Sequence, residues 1–219
     1  MPPLLEARSL KTRLSHDRQI ELSFVLQPGS VVQIHGPSGA GKTTVLRLLA
    51  RLQGSKGGEV LLRGDPASAL APYRWRRQVV YLAQQPTMLD GTVLDNLGAG
   101  FATVLHGPAP TRWDARAVAM LARLGLEPTQ ELLQQPARML SGGEAARVAL
   151  VRALMLEPSV LLADEPTAAL DPQAARALVQ LLGQWVEQGA QNGRRGLIFV
   201  AHEPGPWAEM PHHMVELPS

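Results

Sequence analysis

The eight residues GPSGAGKT, at positions 36–43, constrain the fold of this chain more than any other stretch. They fit the pattern G-x-x-x-x-G-K-[ST], between an apolar run typical of a buried strand and one typical of a helix. Glycines let backbone N–H groups approach phosphates closely, and the start of a helix adds partial positive charge. We therefore predict that the phosphates of a nucleotide bind to Gly36, Pro37, Ser38, Gly39, Ala40, Gly41, Lys42, Thr43 and Thr44.

Two side chains of this loop have distinct predicted roles. Lys42 is long enough to reach the β- and γ-phosphates, and the Thr43 hydroxyl is predicted to be a ligand of the Mg²⁺ that accompanies ATP. The alternative is a glycine-rich turn that binds nothing, but such a turn does not explain why every fixed position of the pattern is filled.

The second motif is VLLADE at positions 160–165. It is typical of a buried strand that ends in two carboxylates. Ligands in parallel sheets lie at the carboxyl ends of strands, so Asp164 is predicted to hold Mg²⁺ through water. Glu165 is predicted to orient or deprotonate an attacking water. Successive residues of an extended strand point in opposite directions, which gives the two acids different tasks.

Two further polar residues end apolar strands. Gln84 follows VVYLA and is a candidate contact for Mg²⁺ or the attacking water, although a glutamine at a strand end usually has no such role. His202 follows LIFVA and is a candidate contact for the γ-phosphate; the alternative is a histidine that only satisfies local packing.

The order of apolar runs predicts an α/β fold. Short antiparallel strands are expected at residues 4–26, and the remaining apolar strands alternate with helices, which is typical of a parallel sheet covered on both faces. We predict one domain over residues 1–219: a P-loop NTPase (RecA-like) core with an N-terminal antiparallel β subdomain and an inserted α-helical subdomain at roughly 86–150. Within the insertion, Thr111 and Asp114 have the spacing of a capping box. The other strands are expected at residues 31–36, 60–62, 79–83, 160–163 and 197–201, with helices at 43–52 and 172–188.

The stretch LSGGEAARVALVRAL, at residues 140–154, places two glycines at the start of a helix. Ser141 and Glu144 have the spacing of a capping box, so Gly142 and Gly143 fall in the first turn, where each costs about 1 kcal/mol relative to alanine. A helix start without side chains favours anions. A second anion site beside one phosphate loop suggests a dimer in which each chain contacts the nucleotide of the other.

The order of these motifs resembles the ATP-binding-cassette (ABC) ATPases over essentially the whole chain. The resemblance implies that two cassettes close head to tail over two ATP molecules, here as a homodimer, with the signature residues Ser141, Gly142, Gly143 and Glu144 at the partner's ATP. It also implies that Glu165 is the catalytic base, that His202 contacts the γ-phosphate, and that Asp171 communicates across the dimer.

The chain departs from the family pattern where an aromatic residue usually stacks on adenine. The comparable positions hold Arg13 and Leu14, so either a cation–π contact or apolar packing would hold the base, and adenine selectivity stays open.

Within the family, the chain looks most like compact bacterial ATPases of iron exporters, which act on a separate integral membrane permease. The surface that receives the permease, here called the socket, is expected just after Gln84. For Met88 and Leu89 the alternative is that they pack in the core of the helical subdomain. The predicted lining of the socket is Gln85, Pro86, Met88, Leu89 and Trp75. An importer, a lipid or drug exporter, and a non-transport ABC ATPase are the alternatives.

The resemblance implies a cytoplasmic protein, peripheral on the inner face of the cell membrane through the permease, and the composition is compatible with that location. Lys plus Arg is 21 against 19 for Asp plus Glu, too small a bias to predict a nucleic-acid partner, and there is no cysteine. No apolar run reaches the ~18–20 residues needed to cross a bilayer, so no direct membrane insertion is expected. The arginines of PYRWRRQ are expected to form a solvated helix face, with a partner or phosphate contact as the alternative.

Overall fold

The computed structural model describes residues 2–13, 19–101, 110–190, 193–202 and 204–217. They form two compact units: the first comprises residues 1–81, 158–165 and 182–219, and the second comprises 82–157 and 166–181. The strands are β1 (Leu5–Arg13), β2 (Gln19–Leu26), β3 (Val31–His35), β4 (Gly57–Leu62), β5 (Asp65–Pro66), β6 (Val79–Leu82), β7 (Val160–Asp164), β8 (Gly196–Val200) and β9 (His213–Glu216). The helices are α1 (Lys42–Leu49), α2 (Pro72–Gln78), α3 (Val93–Gly98), α4 (Trp113–Arg123), α5 (Gln130–Gln134), α6 (Gly142–Met155) and α7 (Pro172–Ala190).

An antiparallel sheet with the strand order β2-β1-β4-β5 forms one part of the first unit. Along β2, buried and exposed residues alternate strictly, so that Ile20, Leu22 and Leu26 face the core while their neighbours face solvent. Alternation of this kind is expected where one face of an antiparallel sheet is solvated. The predicted antiparallel subdomain is confirmed.

A five-stranded sheet with the order β6-β7-β8-β3-β9 forms the centre of the first unit. β7 pairs in parallel with β8, and β3 pairs in parallel with both β8 and β9. Every residue of β7 and β8 is buried, as expected for strands covered on both faces. The predicted α/β fold with a parallel sheet is therefore confirmed, and the carboxyl ends of β3, β7 and β8 meet at one edge.

Helices make up most of the second unit, where α6 packs against α3 and α4. The capping box predicted for α6 is confirmed: the Ser141 backbone N–H donates to Glu144 Oε2 at 2.8 Å, and the Glu144 N–H donates to Ser141 Oγ at 3.3 Å. These bonds satisfy two of the amides that lack partners at a helix start. None of the helices in the described parts of the chain is long and apolar enough to span a bilayer.

The capping box predicted at Thr111 is wrong. α4 begins at Trp113, and its N-cap is Arg112, which has a φ of 60° and makes no side-chain cap bond. The Trp113 N–H donates to the Pro110 carbonyl at 3.2 Å, so a turn occupies the residues that were expected to cap the helix.

The prediction that Trp75 lines a surface socket is also wrong. Trp75 is 0% exposed, and its Nε1–H donates to the Leu49 carbonyl at 2.7 Å, inside the core of the first unit. The arginines on either side, Arg74 and Arg76, are exposed, as expected for the solvated face of α2. α2 is therefore held against the core of the first unit by Trp75, while its arginines face solvent.

We expect Trp75→Phe to destabilise the protein more than Trp185→Phe, by about 1–2 kcal/mol in the free energy of unfolding. Both indoles are buried, but Trp185 Nε1 has no hydrogen-bond partner among the residues that the structure describes. The two changes remove the same atoms, so chemical denaturation of both variants isolates the bond to Leu49. Equal losses would show that this bond adds nothing to the packing of Trp75.

Candidate nucleotide-binding site

The predicted phosphate loop connects β3 to α1 and has the backbone that only glycine adopts easily. Gly41 is the N-cap of α1 with a φ of 91°, and Gly36 has a φ of 155°. A Cβ on Gly36 would lie 3.2 Å from the Cβ atoms of Ala40 and Leu217. The loop therefore folds tightly over the start of α1, where N–H groups and the helix dipole favour an anion.

Lys42 closes this loop from within. Its side chain is buried, and Nζ donates to the carbonyl oxygens of Gly36 at 2.7 Å and Pro37 at 2.9 Å. A buried ammonium needs such acceptors because its charge is costly without them. The ammonium is thus held at the loop, where it is placed to meet phosphate oxygens.

Asp164, the last residue of β7, accepts two hydrogen bonds from hydroxyl groups and is only 1% exposed. Thr43 Oγ1 donates to Oδ1 at 3.1 Å, and Tyr81 OH donates to Oδ2 at 2.8 Å. The first bond joins two of the three residues that the sequence predicts as Mg²⁺ contacts, and Gln84 is the third. Tyr81 was not predicted; the one signal for it is its place on the strand that leads to Gln84.

Burial is the main reason that the pKa of Tyr81 is raised to about 12, and the hydrogen bond to Asp164 acts in the same direction against a smaller opposite effect of Arg47. The phenol therefore stays protonated and acts as a donor throughout the neutral range.

Glu165 follows β7 and faces His202, which follows β8. His202 Nε2 lies 2.7 Å from Glu165 Oε1, with the carboxylate side chain 14% exposed and the imidazole 55% exposed. The expectation that Glu165 continues the extended strand is wrong in its backbone angle, because its φ is 47°. Its N–H still donates to the Val200 carbonyl at 3.0 Å, as the parallel pairing of β7 with β8 requires. A left-handed residue is uncommon outside glycine, and here it ends the extended backbone of β7.

A cavity of about 460 Å³ in the first unit is bordered by the phosphate loop, Glu165 and His202. Besides the loop it reaches Gln53, which sequence reasoning missed, and Arg13, one of the two candidates for holding the base; Leu14 lies outside the described residues. The cavity is lined by Arg13, Ser38, Gly39, Gly41, Lys42, Thr43, Thr44, Gln53, Glu165 and His202.

The donor set fits a nucleotide with a divalent cation. Two carboxylates beside a phosphate loop would repel a polyphosphate, and a cation between them removes the conflict. In the described parts of the chain, no group of three or more His, Cys, Asp or Glu side chains could hold a metal without other ligands. That suits Mg²⁺, which is usually held by one or two protein groups together with substrate phosphates.

The other predicted site residues belong to the second unit. Gln84 is exposed and lies beyond the end of β6. Gly142 is exposed, and an added Cβ would approach only Ala169, at 4.0 Å. Gly143 is closer to its surroundings, since its Cβ would lie 3.1 Å from the Ala169 carbonyl.

Asp171 has a structural role in the second unit that the sequence reasoning did not include. Its Oδ1 accepts from the N–H groups of Gln173 and Ala174, both at 2.9 Å, at the start of α7. The bond from Ala174 is the main reason that the pKa of Asp171 is lowered.

Comparison with known families gives a consistent assignment. The sequence profile described as "ABC transporter" matches residues 20–168, more than half of the chain. The chain belongs to the ABC transporter family. ATP-binding domains of this family are ATPases, and this chain is accordingly an ABC-type ATPase.

Two curated relatives have names that refer to import. The nickel import ATP-binding protein NikO of Rhodobacter capsulatus is 39% identical over 90% of this chain and 78% of that protein. The methionine import ATP-binding protein MetN 1 of Pseudomonas fluorescens is 39% identical over 74% of this chain, but the chain spans only about half of that protein, 48%. These names do not support the predicted iron-export subtype.

A solved structure has a closely similar fold. It is a bacterial Atm1-family ABC exporter with ATP bound, with a TM-score of 0.83 and 26% identity over 99% of this chain and 37% of that chain. The fold of this ABC ATPase domain therefore occurs in proteins whose names indicate either direction of transport.

We expect Lys42→Ala to weaken ATP binding by about tenfold or more, because the substitution removes a charged hydrogen-bond donor from the phosphate loop. Lys56→Ala is the matched control, since Lys56 is an exposed lysine that does not line the cavity. Calorimetric titration with ATP compares the two variants. An unchanged ATP affinity of the Lys42→Ala variant would contradict the prediction that the phosphate loop binds ATP.

Proposed function

We propose that this chain is the motor subunit of an ABC transporter: it binds MgATP, closes head to tail with a second copy, and drives a separate membrane permease. The observation that carries the proposal is the meeting of the phosphate loop, Asp164, Glu165 and His202 at one edge of the parallel sheet. Each group supplies a different requirement of phosphoryl transfer to water. The proposed domain is a single cassette over 1–219, with a helical insertion at roughly 86–150.

For nucleotide binding, the residues of the phosphate loop hold the β- and γ-phosphates. Lys42 has three N–H donors, of which two bind loop carbonyls, so a third can bind a phosphate oxygen while the loop stays fixed. Thr43 and Asp164, already joined at 3.1 Å, hold Mg²⁺ directly and through water respectively, and Gln84 is proposed as a further contact. The bound Mg²⁺ supplies charge neutralisation on the phosphate oxygens.

For hydrolysis, Glu165 is the proposed base that orients and deprotonates water. Its carboxylate is mostly buried while His202 is largely exposed, so His202 can hold Glu165 from the solvent side and contact the γ-phosphate. Asp164, by contrast, is almost fully buried and accepts hydrogen bonds from two hydroxyl groups. One acid is thus reserved for the metal and the other for water.

For dimerisation, Ser141, Gly142, Gly143 and Glu144 are the proposed contacts to ATP bound by the other chain. Ser141 and Gly142 are exposed, and they stand at the start of α6, a 14-residue helix. The capping box uses Glu144 to fix this helix start without covering Gly142. Asp171, which orders the start of α7, is proposed to communicate across the dimer.

For coupling to the permease, the segment after Gln84 is the proposed socket, with Gln85, Pro86, Met88 and Leu89. Leu89 is 52% exposed, although its backbone is fixed: its N–H donates to Asn96 Oδ1 at 2.8 Å, and its carbonyl accepts from Asn96 Nδ2 at 2.9 Å. Asn96 is fully buried and also accepts from Arg152 at 2.9 Å. A rigid loop that presents an apolar side chain is suited to docking.

The direction and cargo of transport have two candidates. Resemblance of the segment around Gln84 to compact iron-export ATPases favours metal export, with the chain at the inner face of the membrane. The names of NikO and MetN 1 favour an importer, and this alternative fits no worse. A non-transport ABC ATPase is the alternative of a different class.

We expect Glu165→Gln to lower kcat for ATP by at least about a hundredfold, because the amide keeps the shape of the base but cannot accept the proton of water. The variant should then accumulate as a closed MgATP dimer of twice the mass by light scattering. Turnover at the wild-type rate would contradict the role of Glu165.

The same variant tests the transport function. Membranes solubilised gently with MgATP should release tagged Glu165→Gln together with a polytopic permease. A companion binding protein outside the membrane would select import, and a rise in cellular metal on deletion of the chain would select metal export. Recovery without any membrane protein would contradict the motor role and favour the non-transport class.

We expect Gly142→Ala to stabilise α6 by up to about 1 kcal/mol and yet to lower the ATPase rate by about tenfold or more. Among the residues that the structure describes, and apart from the backbone of α6 itself, the added methyl group meets only Ala169, at 4.0 Å, so we expect its harm to arise where a second chain approaches. Gly54→Ala is the matched control, because its Cβ would also enter open space. Full activity of Gly142→Ala would contradict the proposed approach of the partner's nucleotide.

A further inference from the structure

Tyr81 is a polar residue of the first unit that none of the proposed steps uses. It lies on β6, the strand next to β7 in the sheet, and its hydroxyl reaches Asp164 Oδ2 at 2.8 Å. The other oxygen of the same carboxylate, Oδ1, accepts from Thr43 at 3.1 Å. Asp164 is therefore held from two sides by hydroxyl groups of different elements.

This arrangement fixes the plane of the carboxylate. Rotation about the Cβ–Cγ bond of Asp164 would break at least one of the two hydrogen bonds, and the residue is 1% exposed, so water cannot easily replace the lost donor. The two carboxylate oxygens are chemically equivalent, so Tyr81 fixes the orientation of the group and not the identity of an oxygen. The tyrosine thus fixes the direction of the lone pairs on the oxygen that faces Thr43.

The hydroxyl of Thr43 can serve both partners at once. It donates its hydrogen to Asp164 Oδ1 and keeps lone pairs on Oγ1 for a cation. A carboxylate free to rotate would not hold that hydrogen in one direction. Orientation of Asp164 by Tyr81 therefore also orients the lone pairs of Thr43.

We propose that Tyr81 is a positioning residue for the Mg²⁺ site: by binding Asp164 Oδ2 it presents Asp164 Oδ1 and Thr43 Oγ1 to the cation that accompanies ATP. The inference rests on the proposed MgATP site and adds to it a residue outside the sequence motifs.

The test compares nucleotide affinity with and without metal. For each variant, the dissociation constant of ATP is measured calorimetrically in EDTA and in Mg²⁺, and the ratio of the two constants gives the contribution of the metal. We expect Tyr81→Phe to reduce this ratio by about tenfold, the lower end of what one hydrogen bond to a charged group contributes. The constant in EDTA should stay within about twofold, which a general loss of structure would not allow.

The chain offers a matched control, because Tyr73 is its only other tyrosine and is 45% exposed on α2. Tyr73→Phe should leave the metal ratio unchanged. An unchanged or larger ratio in Tyr81→Phe overturns the inference while leaving the MgATP site intact. Wild-type protein that binds ATP with no dependence on Mg²⁺ overturns both.

A second measurement needs no change at Tyr81. With tyrosine labelled at the ring carbon that bears the hydroxyl, the protein has two NMR signals, and Tyr73→Phe assigns them. Addition of Mg²⁺ to the ATP-loaded wild type should shift the signal of Tyr81 and leave that of Tyr73 in place. A Tyr81 signal that does not move when Mg²⁺ tightens ATP binding also overturns the inference.

Discussion

The parallel pairing of three strands is the constraint on which the candidate site depends. β7 pairs with β8 over its whole length, from Val160 opposite Gly196 to Asp164 opposite Val200, and β8 continues in parallel to β3. Because all three strands run the same way, the phosphate loop, the two acids and His202 emerge at one edge. Reversal of any one strand would send its polar end to the opposite edge.

The pattern of apolar and polar residues in the sequence is sufficient to predict most strands of the two sheets. Short runs with polar breaks predict the antiparallel strands at residues 4–26, and runs without polar residues predict β7 and β8, because burial on both faces leaves no room for charge. β9 was not predicted. It contains His213 and Met214, both exposed, and it is a strand because β3 offers it a partner, which no local pattern records.

Other errors arise from contacts between distant residues. Tyr81 and Asp164 are 83 positions apart, and only the sheet order makes them neighbours. Trp75 sits among arginines and was expected at the surface, but its indole reaches a carbonyl 26 positions away. The motif predicts where Lys42 and Thr43 lie, because both belong to one short loop, whose shape glycine largely determines.

The bonds from Lys42 to Gly36 and Pro37 have a consequence for the affinity of the loop for a nucleotide. A glycine-rich loop has many conformations in an unfolded chain, and fixing the backbone of one residue costs about 1–2 kcal/mol in conformational entropy. Here the ammonium holds the loop through two of its carbonyl groups. The entropy of the loop is then lost during folding, so less of the binding free energy of each nucleotide is lost to ordering it, and the nucleotide binds more tightly.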